Sequence, residues 1–345
     1  MTFSRNFLST ESRMHLLSCF LLLALQLFAS QGLVNGDTST NEFRVLFVND
    51  LNYGFYPVNE LDGKKCQDID DSACVAGLGR LVSQLKNETR VETFSNGTGS
   101  QIIWLDAGNT LGKSSEWFDL MKFQPAISAI NSLKFSAVAI GSEVFQYGRE
   151  AASHYISSLK GVGFALNVNS TDEKEPPFNG ALTKSKTFDL PNLKVTVIGF
   201  LDKDGMRDKD VTGLTIYDEI GAIENFINGS NSKNEENHIF IAIGSVRTLS
   251  EAEKIAKIKG LNIFIFSGAN ITKDNCVNGT YLKEVPGINN WLVSTLPPRA
   301  NESHHILGDL SVVLSKTGKL NVSLISHDYK TINQSVDRAA SRSNS

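Results

Sequence analysis

The sequence predicts an α/β fold built as a two-sheet sandwich with helices outside. Three observations predict it. Short apolar runs alternate with stretches of helical spacing from Phe43 to Phe266. Residues 101–148 read as one strand–loop–helix–strand–loop unit, the arrangement from which parallel sheets are made. After Phe266 the pattern becomes a series of short β-like runs, which suit hairpins.

Residues 43–48 are an apolar run ending in Asn49-Asp50 and form the first core strand. A polar loop over 53–74 carries Cys66 and Cys74. The spacing of Leu78, Leu81, Val82 and Leu85 predicts a helix over 75–85. Residues 102–105 are a buried strand that turns at Leu105-Asp106-Ala107-Gly108-Asn109. Phe118, Met121, Ile127, Ile130 and Leu133 lie near helical spacing, so 118–133 reads as a helix. A strand over 135–140 then ends in Gly141-Ser142-Glu143. A helix over 147–159 and a strand over 162–166 follow, and 167–177 reads as an exposed loop. Residues 188–190 and 193–200 pair around a Pro191-Asn192 turn. Helices are expected over 217–227 and 249–258, and strands over 238–244 and 261–266. The β-like runs are 281–285, 291–295, 305–314 and 320–325, and the tail 327–345 reads as disordered.

The chain has 345 residues, a formal charge of −4 and 41% hydrophobic residues, enough for a large core and not basic enough for nucleic acid. A charged lead with Arg5 and Arg13, an apolar run from Met14 and the small pair Ala29-Ser30 make residues 1–32 a signal peptide, the alternative being a retained signal anchor. No other stretch is apolar enough to span a bilayer, and the polar C-terminus carries no lipid-anchor signal. A secreted protein without a membrane anchor is expected. Asn-x-Ser/Thr sequons at Asn87, Asn96, Asn169, Asn228, Asn270, Asn278, Asn301, Asn321 and Asn333 predict a glycoprotein. Cys66 and Cys74 are expected to pair in the secretory pathway, leaving Cys276 either free and buried or bonded to another chain.

Leu105-Asp106-Ala107-Gly108-Asn109-Thr110 resembles the Gly-Asp loop of the 5'-nucleotidase/apyrase family of metallophosphoesterases. Ala139-Ile140-Gly141-Ser142-Glu143-Val144-Phe145-Gln146 resembles its Gly-Asn-His-Glu-Phe-Asp segment, and the stretch from Lys65-Cys66 through Cys74 to Leu81 resembles its first disulfide loop. The resemblance covers residues 43–326 and implies the calcineurin-like fold, with two divalent cations such as zinc as cofactors. Members also carry a C-terminal nucleotide-binding domain, which residues 43–326 do not include.

Two-metal hydrolysis needs carboxylates and imidazoles converging from several loops. Carried over residue by residue, the resemblance keeps Asp50, but the metal-ligating His two residues on is Asn52. The bridging Asp is Asn109, and the Asn of the next motif is Ser142. The catalytic His is Glu143, and the Asp that orients it is Gln146. Two further His positions are Ser245 and Ala269. No intact catalytic or metal set is therefore expected, and no cofactor. His304-His305 would need further ligands to hold a metal, so an exposed loop pair is the preferred reading. Asp50 with Glu143 is either an acid/base pair or a remnant re-bonded within the site. A glycan on Asn270 would sit at the mouth of the former cleft.

The resulting expectation is a pseudoenzyme: a secreted, glycosylated relative that binds an unidentified protein or small molecule. The resemblance extends to relatives in the saliva of blood-feeding insects, which implies an antihaemostatic role. The alternative is a residual hydrolase of extracellular nucleotides using one cation on Asp50, Asn52 and Asn109. A non-catalytic nucleotide scavenger is a third reading.

Overall fold

The computed structural model describes residues 41–51, 58–59, 66, 74–75, 77, 79, 81–83, 102–111, 123–172, 174, 176–230, 237–277, 280–295, 307–315 and 317–324. The expected signal peptide, residues 1–32, and the tail, residues 327–345, lie outside them.

Sixteen strands are described: β1 (Asn41–Val48), β2 (Val58–Asn59), β3 (Cys74–Val75), β4 (Ile102–Asp106), β5 (Ala137–Ala139), β6 (Gly163–Phe164), β7 (Val168–Ser170), β8 (Ser185–Leu190), β9 (Leu193–Phe200), β10 (Leu214–Ile216), β11 (His238–Ser245), β12 (Ile263–Ser267), β13 (Thr280–Val285), β14 (Asn290–Thr295), β15 (Gly308–Leu314) and β16 (Leu320–Leu324). The described helices are α1 (Gln124–Leu133), α2 (Arg149–Ser158), α3 (Glu219–Gly229) and α4 (Leu249–Ala256).

Two six-stranded sheets dominate. The first runs β16-β15-β1-β4-β5-β6 and the second β13-β14-β12-β11-β9-β8. In the first, four consecutive strands are parallel and run out to one edge, with antiparallel strands on the other side; in the second, the four inner strands are parallel and an antiparallel strand closes each edge. β1, β4, β5 and β6 are parallel, with β15 antiparallel to β1 and β16 antiparallel to β15. β9, β11, β12 and β14 are parallel, with β8 and β13 antiparallel beside them. This is the α/β two-sheet architecture expected from the sequence.

Alternation along each strand explains the layers. Phe43, Val45, Phe47, Ile103 and Leu105 meet Val195, Val197, Ile241, Ile243, Ile263 and Ile265 between the sheets. The other face of the first sheet buries Leu46, Val48 and Trp104 under α1 and α2, through residues such as Ile127, Ile130, Tyr155 and Ile156. The other face of the second buries Phe200, Phe240, Phe264 and Phe266 against α3 and α4. Strands covered on both faces read as unbroken apolar runs, which is why they were visible in the sequence. Each such side chain contributes roughly 1.5–3 kcal/mol on burial.

Local chemistry sets the helix ends. Asp218 accepts from Gly221 N–H at the start of α3, and Thr248 with Glu251 forms a capping box on α4. The helix expected over 118–133 is described from Gln124, with Pro125 in its first turn, where a missing N–H costs nothing. The helix expected over 147–159 begins at Arg149. The helix expected from residue 75 starts later, because Val75 pairs with Val58 in a short bridge; Gly79 and Leu81–Ser83 are helical.

The loop expected over 167–177 is corrected. Val168–Ser170 is a strand paired with β10, and Asn167 before it is 1% exposed. Its amide satisfies itself inside. Nδ2 donates to the carbonyls of Leu201 at 2.8 Å and Tyr217 at 2.9 Å, and Oδ1 accepts from Leu201 N–H at 2.9 Å. A polar side chain with such partners buries at little cost.

Candidate functional site

The loops after β1, β4, β5, β11 and β12 converge at one end of the two sheets, as loops at the carboxyl ends of parallel strands do. Asp50, just past β1, is at their centre and is 2% exposed. It receives Asn109 Nδ2 at 2.5 Å, Asn49 Nδ2 at 2.7 Å and the Gly268 N–H at 3.0 and 3.2 Å to its two oxygens. Its own N–H donates to Gly108 O at 3.0 Å. Asp50 and Asn109 both hold left-handed backbone, at φ 54° and 55°. Non-glycine residues held there cost energy that the surrounding structure must offset, and they gather at functional loops.

Asn49 joins the two sheets. Its Oδ1 accepts from Thr295 N–H at 2.9 Å and Thr295 Oγ1 at 2.7 Å, and its Nδ2 also donates to Thr295 O at 3.2 Å. A second link runs from Ser267 Oγ to Ala107 O at 2.9 Å, with Ser245 Oγ 2.6 Å from Ser267 Oγ. Gly268 N–H to Asp50 is a third.

Two more carboxylates stand nearby. Asp106, wholly buried at the end of β4, accepts from Gly108 N–H at 2.9 Å and Thr110 Oγ1 at 2.7 Å. Glu143, half-buried, folds back over Gly141, where a Cβ would meet its Oε2 at 1.9 Å. It accepts from its own N–H and from that of Thr110. Burial pushes the Asp50 carboxyl above the usual range, against the hydrogen bonds of Asn109, Asn49 and Gly268. Burial likewise lifts Asp106 to about 6 and Glu143 to about 7, and the carboxylates' mutual repulsion adds to both shifts.

Of the residues singled out in the sequence, Asp50, Asn109, Glu143, Ser245 and the turn holding Ala269 do meet here. Ala269 is 2% exposed and offers only a methyl. Ser142 is half-buried, its Oγ against the turn at Gly205. Gln146 has a buried Nε2 with no hydrogen-bond partner among the described residues. Asn52 lies outside the described residues, as do Asn87, Asn96, Asn278, Asn301, Asn333 and the His304-His305 pair. The pairing of Cys66 with Cys74 rests on a side chain, that of Cys74, also outside them. Cys276 is the free cysteine among the described residues, and burial pushes its thiol up to about 11. His238 is structural: its ring stacks on Phe240 at 4.4 Å and its Nε2 is 2.8 Å from Thr196 Oγ1. Sequence reasoning missed Asp106, Asn49 and Thr295. An aspartate closing an apolar strand was the available signal for the first.

No protein-family model matches the chain. It is 28% identical over 251 residues to the protein 5NUC of Lutzomyia longipalpis, covering 71% of this chain and 42% of that one. It is 24% identical over 235 residues to the 5'-nucleotidase of Bos taurus, covering 66% and 38%, and 23% identical over 228 residues to the apyrase of Aedes aegypti, covering 65% and 38%. The chain is similar to members of the 5'-nucleotidase/apyrase family. It spans about two fifths of the length of these curated relatives. Solved structures agree on the fold. The NAD nucleotidase of Haemophilus influenzae superposes with a TM-score of 0.64 at 15% identity, over 82% of this chain and 49% of that one. A calcineurin-like phosphoesterase from Bacillus subtilis gives 0.57 at 16% identity, over 88% and 97%.

The 5'-nucleotidase/apyrase fold implies two divalent cations, and the side chains described here do not fit them. Both oxygens of Asp50 face N–H donors, Asn109 turns its amide nitrogen inward, Ser245 and Ser267 bond each other, and Ala269 has no lone pair. Among the described residues, no group of three or more His, Cys, Asp or Glu is arranged to hold an ion.

Proposed function

We propose that this chain is a secreted, glycosylated member of the 5'-nucleotidase/apyrase family that does not turn over nucleotides and acts by binding a protein or small molecule, with an antihaemostatic role in saliva. One observation carries it: the carboxylate of Asp50, the family ligand that the sequence keeps, is engaged by Asn109, Asn49 and Gly268 N–H groups. A hydrolytic pair of cations needs those oxygens for itself. The relatives from Lutzomyia longipalpis and Aedes aegypti support the setting, and the apolar leader and the nine sequons after it support secretion. No described helix is long and apolar enough to cross a membrane. The Cys66–Cys74 bridge belongs to the same reading, as does the absence of a nucleic-acid partner.

The test is phosphate release from ATP, ADP and AMP by the purified full chain with zinc, magnesium, manganese or calcium, paired with elemental analysis. Release at the blank rate and no stoichiometric metal are expected. Turnover that Asp50→Ala abolishes would overturn the proposal in favour of a residual metal-dependent nucleotide hydrolase.

A further inference from the structure

We propose that Asn270 carries an N-linked glycan that shields the loops around Asp50. The inference rests on the secreted reading above and goes further by assigning one modification to one place and one effect.

Asn270-Ile271-Thr272 follows β12 after Gly268 and Ala269. Gly268, two residues earlier, donates its N–H to Asp50, so the turn is tied to the buried carboxylate at the centre of the site. Two residues span at most about 7 Å, which keeps Asn270 beside the site. The turn is pinned on both sides of the acceptor: Ala269 is 2% exposed and Ile271 is 1% exposed. Asn270 and Thr272 point outward and are exposed. Gly268 has φ 84°, and a Cβ there would meet Val246 O at 2.6 Å, so the tight turn depends on a glycine. An exposed Asn between two buried neighbours presents its amide to solvent, where a sugar can be added.

The other described sequons differ. Asn228 is exposed in the last turn of α3 and Asn321 is exposed on the edge strand β16, neither tied to Asp50. Asn169 is half-buried, its Oδ1 accepting from Lys184 Nζ at 3.0 Å. In the modification the Asn270 amide nitrogen loses a proton and bonds to the anomeric carbon of an oligosaccharide. The lipid-linked diphosphate that carried the sugar departs with that proton.

The experiment uses the full chain secreted from eukaryotic cells. Enzymatic release of N-glycans in heavy-oxygen water, read by peptide mass spectrometry, is expected to mark Asn270 as well as Asn228 and Asn321. The shielding is read separately, by alkylation of Ser245→Cys in a Cys276→Ser background. Thr272→Ala, which deletes only this sequon, is expected to speed alkylation several-fold, and Thr272→Ser, which keeps it, to leave the rate unchanged. Asn270→Gln is the second sequon-deleting variant if Thr272→Ala does not fold. A bare Asn270 beside occupied Asn228 and Asn321 would overturn this inference and leave secretion standing. So would an occupied Asn270 whose loss leaves the alkylation rate unchanged. Absence of glycan at every sequon would take the secreted reading down as well.

Discussion

Replacing Glu143 by Gln should make the protein's stability less dependent on pH. In the folded chain the Glu143 carboxyl is raised from 4.5 to about 7, with burial as the main cause. The folded state therefore holds this proton more tightly than the unfolded state. Stability from the group is fully present below about 4.5 and is lost as pH rises toward 7, where the folded chain must carry a charge beside Asp106 and Asp50. Integrating between pH 5 and pH 8 with those two values gives a loss of roughly 2–3 kcal/mol. Gln keeps an oxygen to accept from its own N–H and that of Thr110, and it does not ionise. Urea unfolding of both proteins at pH 5 and pH 8 isolates the effect. The advantage of Glu143→Gln over the parent should grow by roughly 2–3 kcal/mol at the higher pH. A change below about 1 kcal/mol would refute the placement of this carboxylate beside Asp106 and Asp50.

Three further outcomes are expected. Asp50→Ala strands Asn49, Asn109 and the Gly268 N–H, at about 1–3 kcal/mol for each group that finds no water; a midpoint shift under about 1 kcal/mol in urea would show the network to be slack. Arg44 and Asp309 form a buried pair across β1 and β15, with Arg44 Nε 2.7 Å from Asp309 Oδ1. Arg44→Met alone should cost about 3–5 kcal/mol, and adding Asp309→Leu should recover most of it, as a double-mutant cycle by denaturant would read. Gly308→Ala should destabilise by about 1–3 kcal/mol by calorimetry, because a Cβ there would meet the Phe47 ring at 2.1 Å.

The strands and their order of appearance were legible because both faces of the inner strands are covered, so runs such as His238–Ser245 and Ile263–Ser267 carry almost no polar residue. The hairpin at Pro191-Asn192 was legible for a local reason: Asn192 adopts φ 59°, which asparagine tolerates. Asn167 was not, since its burial depends on Leu201 and Tyr217, which lie far along the chain. In the site, Asp50, Asn109, Glu143, Ser245 and Ala269 were placed together through the resemblance. Asp106 was passed over because an aspartate before Ala-Gly reads as ordinary turn chemistry. The partnership of Asn49 with Thr295, 246 positions apart, leaves no local trace at all.

The seam formed by Asn49 with Thr295, Gly268 with Asp50, and Ser267 with Ala107 ties the two sheets together beneath the site. A platform fastened in that way stays in shape with nothing bound to it. Its outer rim is thereby released to drift, and new contacts can be written there one substitution at a time while the base keeps its form.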